Sequence, residues 1–546
     1  MIKNLNFHFK PSQPLPETGM KAIHQAILNL LEPIYIVDIN GTPGVCKSGN
    51  IDLINNKVSN DAENFQLQAY APPLHPKKPG NPNFKKRYGL QYAYIAGAMA
   101  HGIASVELVK AAGKLGMIGF FGAAGLSINE LEKAVVRLKS EAADMPFGLN
   151  LIYSNSVDLE FATVNLYLKH HIRLISAAGY LKLTLPLLYY RISGIHQNAD
   201  GTIICPNKII AKTSRIEIAR QFLSPAPEKL IQKLIEQRLI TEHEAVLAKH
   251  IPVADDLTAE ADSGGHTDNR AAISLLPAML DLRDVLFEKF NYTTMPCIGL
   301  GGGIATPLSV SAAFSMGADY VLSGSINQSC IESGTSETAK TMLSNAAQTD
   351  VAMAPSANMF ERGIKVQVLK KGTLFPQRAA KLYKIYRNYE SFDQVSEKEK
   401  NEIEEKILQT PFDAEWASTR QFFKTFDPTQ LALAEKDPKR KMGMVFRSYL
   451  GKSSKWAISG DASRKKDFQI WCGPSMGAFN EWAKGSFLEN PENRFFQTIS
   501  LNLLFGACVA IRRQWIINTG FMLPPQIGKF KPLAFDKIKL LLQNNI

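Results

Sequence analysis

His266 stands behind two glycines in the run Ala261-Asp262-Ser263-Gly264-Gly265-His266, and by type and setting it is the residue best suited to acid–base chemistry. Glycines give an imidazole little to pack against. An ordinary histidine pKa near ~6.5 lets the ring act as an acid or a polarising donor at neutral pH. A purely structural histidine is the plainer alternative. The two glycine clusters that follow, Gly301-Gly302-Gly303 and Gly324-Ser325, suit a different task. Their bare backbone N–H groups can converge on a phosphate, whereas one such cluster alone would read as a tight turn. Asn150 offers an amide that donates and accepts at once. Lys212 is placed either to hold negative charge on a bound group or to pair with a carboxylate. The stretch Gly97-Ala98-Met99-Ala100-His101-Gly102 has the small side chains that let a flat ligand approach the backbone.

Three patterns suggest other chemistry and fail. Gly41-Thr42-Pro43-Gly44-Val45-Cys46-Lys47-Ser48 approximates a P-loop, but Cys46 occupies the place of the second glycine. Gly299-Leu300-Gly301-Gly302-Gly303-Ile304 misses the dinucleotide fingerprint at Ile304. Gly473-Pro474-Ser475-Met476-Gly477 matches a nucleophile elbow literally. The last histidine of the chain is His266, however, so the order Ser, Asp, His cannot be completed. The six cysteines lie far apart with no Cys-x-x-Cys and no Cys/His cluster. They read as reduced thiols of a cytoplasmic protein, and no metal site is expected.

The elements that position these residues follow from periodicity. Eight short apolar runs alternate with helical stretches: Tyr94 to Ala96, Met117 to Phe120, Phe147 to Leu151, Ile172 to Ser176, Lys208 to Lys212, Leu257 to Asp262, Cys297 to Leu300, and Asp319 to Ser323. Eight strand–helix units over roughly 250 residues match a (β/α)8 TIM barrel, an α/β fold, with an open doubly wound sheet as the alternative. Ser127 with Glu130 is a capping box, and Thr306-Pro307 opens a helix that Gly317 closes. In such a barrel the chemistry sits at the C-terminal ends of the strands. That is where Ala98, Asn150, Lys212, His266 and both glycine clusters fall, the clusters after strands seven and eight.

The barrel is expected over residues 86–345, with a helical insertion near 225–250. An irregular N-terminal lobe with a Pro/Lys-rich linker precedes it over residues 1–85, with Pro33 to Asp38 reading as a strand that ends in a turn at Asn40-Gly41, and a helical, basic lobe follows over 346–546. In the C-terminal part Ser396 to Leu408 reads as one charged helix, with Ser396 and Glu399 as its capping box and Glu402 paired with Lys406. The chain has 546 residues, 45% of them apolar, and a formal charge of +12. From Thr429 onward, 18 Lys and Arg stand against 8 Asp and Glu, so most of the excess lies in the last fifth. A basic lobe favours an acidic partner, although a merely solvated basic surface explains the same count. No nucleic-acid motif is present. The longest apolar stretch, Leu503 to Ile511, is far short of the ~20 residues that cross a bilayer. The first seventeen residues contain no signal-length apolar run.

Taken together, Pro146-Phe147-Gly148-Leu149-Asn150, Ser263-Gly264-Gly265-His266 and Gly301-Gly302-Gly303-Ile304 resemble the FMN-dependent nitronate monooxygenase and flavin enoyl-reductase superfamily. Gly97-Ala98-Met99-Ala100, Ala261 to Asp268, Gly324-Ser325-Ile326-Asn327-Gln328, Lys365-Val366-Gln367-Val368-Leu369 and Ile470-Trp471-Cys472-Gly473-Pro474 are similar to its PfaD type. Those are trans-acting enoyl reductases of polyunsaturated fatty acid and trans-acyltransferase polyketide synthases. The resemblance runs from about Pro33 to Arg513. It departs at Asp262-Ser263, where simpler flavin reductases tend to have Glu, at His101 in place of Asn, and at Ser475 in place of Ala.

The resemblance implies reduction of an enoyl thioester on an acyl carrier protein, using NADPH through FMN. It implies Gly301, Gly302, Gly303, Gly324 and Ser325 at the FMN phosphate, and Asn150, Ala98, Met99, Gly264 and Gly265 along the flavin. Lys212 would lie near its N1/O2 edge, and His266 would be the catalytic residue. It implies that Lys439, Arg440, Lys441, Arg464, Lys465 and Lys466 include part of a carrier docking surface. A homodimer is plausible for the class. A nitronate-type flavin oxidase and a non-catalytic carrier-binding subunit are the competing readings.

Overall fold

All eight apolar runs form strands, and the strands close into one parallel barrel in a computed structural model that describes residues 7–12, 16–53, 64–154, 156–426 and 428–543. In chain order they are Tyr94–Ala96, Ile118–Phe121, Phe147–Ile152, Leu174–Ala178, Lys208–Thr213, Asp256–Glu260, Cys297–Gly301 and Val321–Ser323. Each pairs in parallel with its sequence neighbours, and the eighth returns to the first through Leu322 and Ile95. The runs lack polar/apolar alternation because both faces are covered, one by the barrel interior and one by the surrounding helices. The capping signals within the barrel hold. Ser127 and Glu130 make the reciprocal box on helix Ile128–Glu141, and Thr306 caps helix Pro307–Ser315.

Three local expectations need correction. The N-terminal lobe is not irregular. Within it six antiparallel strands form one sheet beside helix Met20–Leu28, and Asn40-Gly41, both at positive φ, make the tight turn between Ile34–Ile39 and Thr42–Cys46. The Pro/Lys-rich segment is fastened rather than loose. Asn81 caps helix Pro82–Tyr88 and donates to Asp319 Oδ1 at 2.7 Å. The expected helical insertion is present as two helices, Glu228–Glu236 and Glu242–Ala248, because Arg238 turns left-handed and Thr241 starts a new capping box. The charged segment after Ser396 is α-helical only to Glu402 and continues as a π-helix over Ile403–Leu408, while Glu402 pairs with Lys381 instead of Lys406. Ser396 donates to the Glu399 carboxylate at 2.9 Å and leaves the helix backbone uncapped. The signal-peptide reading falls partly on residues 1–6 and 13–15, outside the described residues.

Beyond the barrel, strands Val351–Pro355 and Lys365–Leu369 pair antiparallel. Helices Phe375–Asn388, Phe412–Phe426, Pro428–Ala434 and Pro438–Ser459 follow. The apolar faces of Phe375–Asn388, Phe412–Phe426 and Pro438–Ser459 build a second core around Phe360, Leu382, Phe446 and Tyr449, and Pro428–Ala434 packs in a smaller cluster with Phe423 and Met444. The apolar stretch Leu503 to Ile511 lies in helix Phe496–Asn518, which belongs to the main core. Among the described residues, no helix is long and apolar enough to cross a membrane.

One buried cation joins the ends of the chain. Arg512 is fully buried and donates to the carbonyls of Ala26, Ile27, Asn29 and Glu32, at 3.3 Å for the first two and 2.6 Å for Glu32. These carbonyls close the C-terminal end of helix Met20–Leu28, where the last turn has no further backbone N–H to bond. Burial pulls the guanidinium pKa down to about 10, still well above neutrality. Arg512→Leu is expected to lower stability by about 3 kcal/mol, since several buried acceptors lose their donor together. Arg512→Lys should recover less than half of that in urea unfolding, because one ammonium cannot span four carbonyls.

Candidate active site

Strand six ends in Glu260, and the chain then turns through Asp262-Ser263-Gly264-Gly265 to present His266. His266 is exposed by surface area, although the surrounding protein desolvates its ring. Its Nε2 is 3.0 Å from the hydroxyl of Ser356, itself buried on the segment after Val351–Pro355. Burial lowers its pKa below the ordinary value. Glu260 opposes this shift and Lys212 adds to it. The imidazole is therefore neutral at pH 7. Lys212, from the end of strand five, forms an ion pair with Glu260, to which Ser263 also donates at 3.3 Å. Of the two readings of Lys212 the carboxylate partner is thus realised, and it stands beside His266.

The turn carrying His266 is held by the C-terminal lobe. Gly265 and Gln367 exchange backbone hydrogen bonds of 2.9 and 2.7 Å. The buried Gln367 side chain donates to Asp262 Oδ1 and to the Ser263 carbonyl, both at 2.8 Å, and accepts from Asn269 at 3.1 Å. A Cβ on Gly264 would lie 2.9 Å from the Cys472 nitrogen, and one on Gly473 would lie 2.8 Å from the Gly264 nitrogen. These glycines are there so that two backbones can meet. Trp471 lies against Gly265 and parallel to the His101 ring, with centroids 5.7 Å apart. His101 is left-handed, with φ 56°, and its ring fills the space that a side chain at Gly125 would need.

The glycine clusters meet across strands seven and eight, where Leu300 pairs with Val321 and Gly301 with Leu322. Gly302 has φ +89°, and a Cβ there would strike the Ala261 and Asp262 backbone at 2.7 Å. Gly303 and Gly324 differ: around both, the space that a Cβ would occupy is open. The Ser325 hydroxyl accepts from Gly473 N–H at 3.2 Å, which brings the lobe to the edge of this cradle. Asn150 is buried. Its Oδ1 accepts from Ala123 N–H at 2.6 Å, and its Nδ2 has no partner among the described residues. Ala98 and Met99 are half-buried in the loop after strand one, and the Met99 carbonyl accepts from Ala104 N–H.

Comparison with known proteins gives this geometry a lineage. Residues 83–412, more than half of the chain, match the family model described as nitronate monooxygenase. The chain belongs to that family. Residues 389–468 also match the inserted helical domain of [acyl-carrier-protein] S-malonyltransferase. The enoyl reductase domain of MlnA, from the macrolactin biosynthesis cluster of Bacillus amyloliquefaciens, is 40% identical with a TM-score of 0.77 over 81% of this chain and 99% of that one. Polyketide biosynthesis protein PksE of Bacillus subtilis (strain 168) is 43% identical over 437 residues, 80% of this chain and 57% of that protein. A polyunsaturated fatty acid synthase polypeptide of Thraustochytrium sp. (strain ATCC 26185 / S-3) is 42% identical over 447 residues, 80% of this chain and 30% of that protein. The match thus takes in about half or less of these two relatives. The chain falls within the branch of the family represented by such synthase proteins, an oxidoreductase superfamily.

The residues expected at a docking surface do not form one patch. Arg464 is a correction. It is buried, donates to the Ile407 and Leu408 carbonyls, pairs with Asp467 at 3.1 Å and stacks on Trp456 at 4.0 Å. A guanidinium so engaged holds the lobe together. Lys439 and Lys441 pair with Glu390 and Asp413, and Arg440 with Asp437. Lys465 and Lys466 are exposed.

Several residues at the site carry no sequence motif of their own. Glu260, Ser356, Gln367 and Trp471 owe their places to tertiary contacts, and only Gln367 and Trp471 lie in runs that resemble a family pattern.

The electrostatics around His266 can be tested directly by NMR titration of its ring. Its pKa is expected below the ordinary 6.5. Lys212→Met removes a like charge and should raise it, and Glu260→Gln removes the opposite charge and should lower it further. Shifts in the reverse directions would mean that the ring does not face this ion pair.

Proposed function

We propose that this protein is a flavin-dependent enoyl reductase. It reduces the α,β-double bond of an enoyl thioester carried on an acyl carrier protein, in polyketide or polyunsaturated fatty acid synthesis, with NADPH as electron donor. The observation that carries the reading is a neutral, oriented imidazole beside a glycine cradle, under a lobe shared with a relative named as an enoyl reductase domain. FMN suits the residues present. Gly303 and Gly324 leave room against their backbone for a phosphate, as Gly301, Gly302 and Ser325 border it, and Asn150 keeps an unpartnered amide donor for a heterocycle. Ala98, Met99, Gly264 and Gly265 would line a flavin through backbone, and Lys212, already paired with Glu260, would lie near its edge.

FMN, held there by these residues, would supply the hydride-transfer chemistry that the β-carbon requires. The chain's own residues do the rest. With Ser356 as donor to His266 Nε2, 3.0 Å away, the ring proton would sit on Nδ1 and be offered to the thioester carbonyl. That hydrogen bond strengthens as negative charge develops on the oxygen, the His266 Nδ1 proton then passes to the α-carbon of the enolate, and solvent restores it to the ring once the product has left. Trp471 and the clamped turn exclude water from the reacting atoms. On this reading residues 86–345 carry the chemistry and residues 346–546 roof it and receive the carrier. The six cysteines, all free thiols, suit a reducing cytoplasmic setting.

Anaerobic stopped-flow absorbance tests the reading. NADPH should bleach the flavin band of the purified protein, and a crotonyl-type thioester on a carrier protein should restore it. Restoration only by air would favour a nitronate-type oxidase, and absence of a flavin band after adding FMN would favour a non-catalytic carrier-binding role. His266→Ala should slow the thioester-dependent phase about 100-fold with bleaching little changed, the usual cost of one lost transition-state donor. His266→Gln should recover part of it.

Carrier docking is assigned to Lys465 and Lys466, the exposed members of the basic set with no ion pair among the described residues. Raising ionic strength from 0.05 to 0.3 M should increase KM for the carrier-bound thioester severalfold and leave KM for a carrier-free thioester nearly unchanged (order-of-magnitude expectation). Equal effects on both substrates would contradict the docking assignment.

A further inference from the structure

At the opposite end of the barrel, where the strands begin, a cleft of about 430 Å³ opens beside the starts of strands three, four and five. Its floor is apolar, made by Met145, Pro146, Phe147, Leu174 and Pro206. Its other lining residues include Lys139, His171, Arg173 and Lys208, and none of the lining residues is acidic. Arg173 and Lys208 have neutral partners. Arg173 donates to Asn207 Oδ1 at 2.7 Å and to His171 Nδ1 at 3.3 Å. Lys208 donates to the Arg87 carbonyl at 3.1 Å and lies over the Tyr88 ring. Lys139, in the last turn of helix Ile128–Glu141, has no ion-pair partner among the described residues. The nearby acidic groups are already answered, Asp256 by Arg87 and Tyr88 and Asp255 by Arg191.

Three cations sharing one concavity repel each other, and an anion bound among them relieves that cost. Because His171 Nδ1 accepts from Arg173, its proton is on Nε2, which adds a neutral donor. An apolar floor beside a cationic rim fits a ligand that is flat and apolar at one end and polyanionic at the other. We propose that this cleft binds a nucleotide di- or triphosphate, with the base on the Phe147–Leu174 floor and the phosphates on Arg173, Lys208 and Lys139. This site is remote from His266 and does not depend on the enoyl-reductase reading.

Isothermal titration of the full chain with ADP, pyrophosphate and adenosine tests the proposal. ADP is expected to bind more tightly than pyrophosphate, and adenosine should bind only weakly. Arg173→Gln with Lys139→Gln should weaken ADP at least tenfold, while the melting temperature and enoyl reduction stay as in the parent. Both side chains are exposed, so the fold should tolerate the change. Lys208→Gln gives a third, independent readout. ADP binding that survives the double variant unchanged would place the nucleotide elsewhere, at the reductase site included, and overturn the proposal. Absence of ADP binding at millimolar concentration would overturn it equally.

Discussion

A place where two backbones touch without side chains between them organises the candidate site. Gly264 and Gly473 admit each other's main chain, Gly265 bridges to Gln367, and Cys472 N–H also donates to the Gln367 carbonyl, at 3.3 Å. From this seam follow the position of His266, the hydroxyl of Ser356 behind it and the indole of Trp471 above it. A barrel strand end alone would leave the Asp262-to-His266 turn with two glycines and few constraints. The lobe supplies the constraint, so the reactive side chain and its support come from segments about ninety residues apart.

This division explains what can be read in the sequence. Barrel strands are short, apolar and separated by capped helices, so all eight are legible from periodicity. The glycine clusters and His266 are legible because their residue types are unusual where they stand. Glu260 and Ser356 are not. A carboxylate at a strand end and a serine after a β-hairpin are common, and their meaning arises only once Lys212 and His266 are beside them. Of the N-terminal sheet only the strand from Pro33 to Asp38 and the turn at Asn40-Gly41 are legible, and the other strands pair out of sequence order. The π-helical turn at Ile403–Leu408 has no signal in residue type at all.

The basic C-terminal part illustrates a different limit. Charge counting sees Arg464, Arg494 and Arg512 as surface positives, but all three are buried and bonded chiefly to backbone carbonyls. Arginine suits this work because its planar fork reaches several acceptors at fixed angles while staying charged. Part of the positive excess is thus internal scaffolding. What remains on the surface is smaller and more scattered than the composition suggests.

Arg512 also sets an order of events during synthesis. The Asn29 carbonyl that it satisfies is 483 residues earlier in the chain. At roughly 5–20 residues per second, a ribosome needs about 25 to 100 s to span that distance. During this interval the first helix is made, but its C-terminal carbonyls have no protein donor. The barrel between them contains mainly near-neighbour pairings and can form in the meantime. The N-terminal lobe must then either wait, with its apolar face uncovered, or be held by a chaperone until the last long helix emerges and closes the molecule.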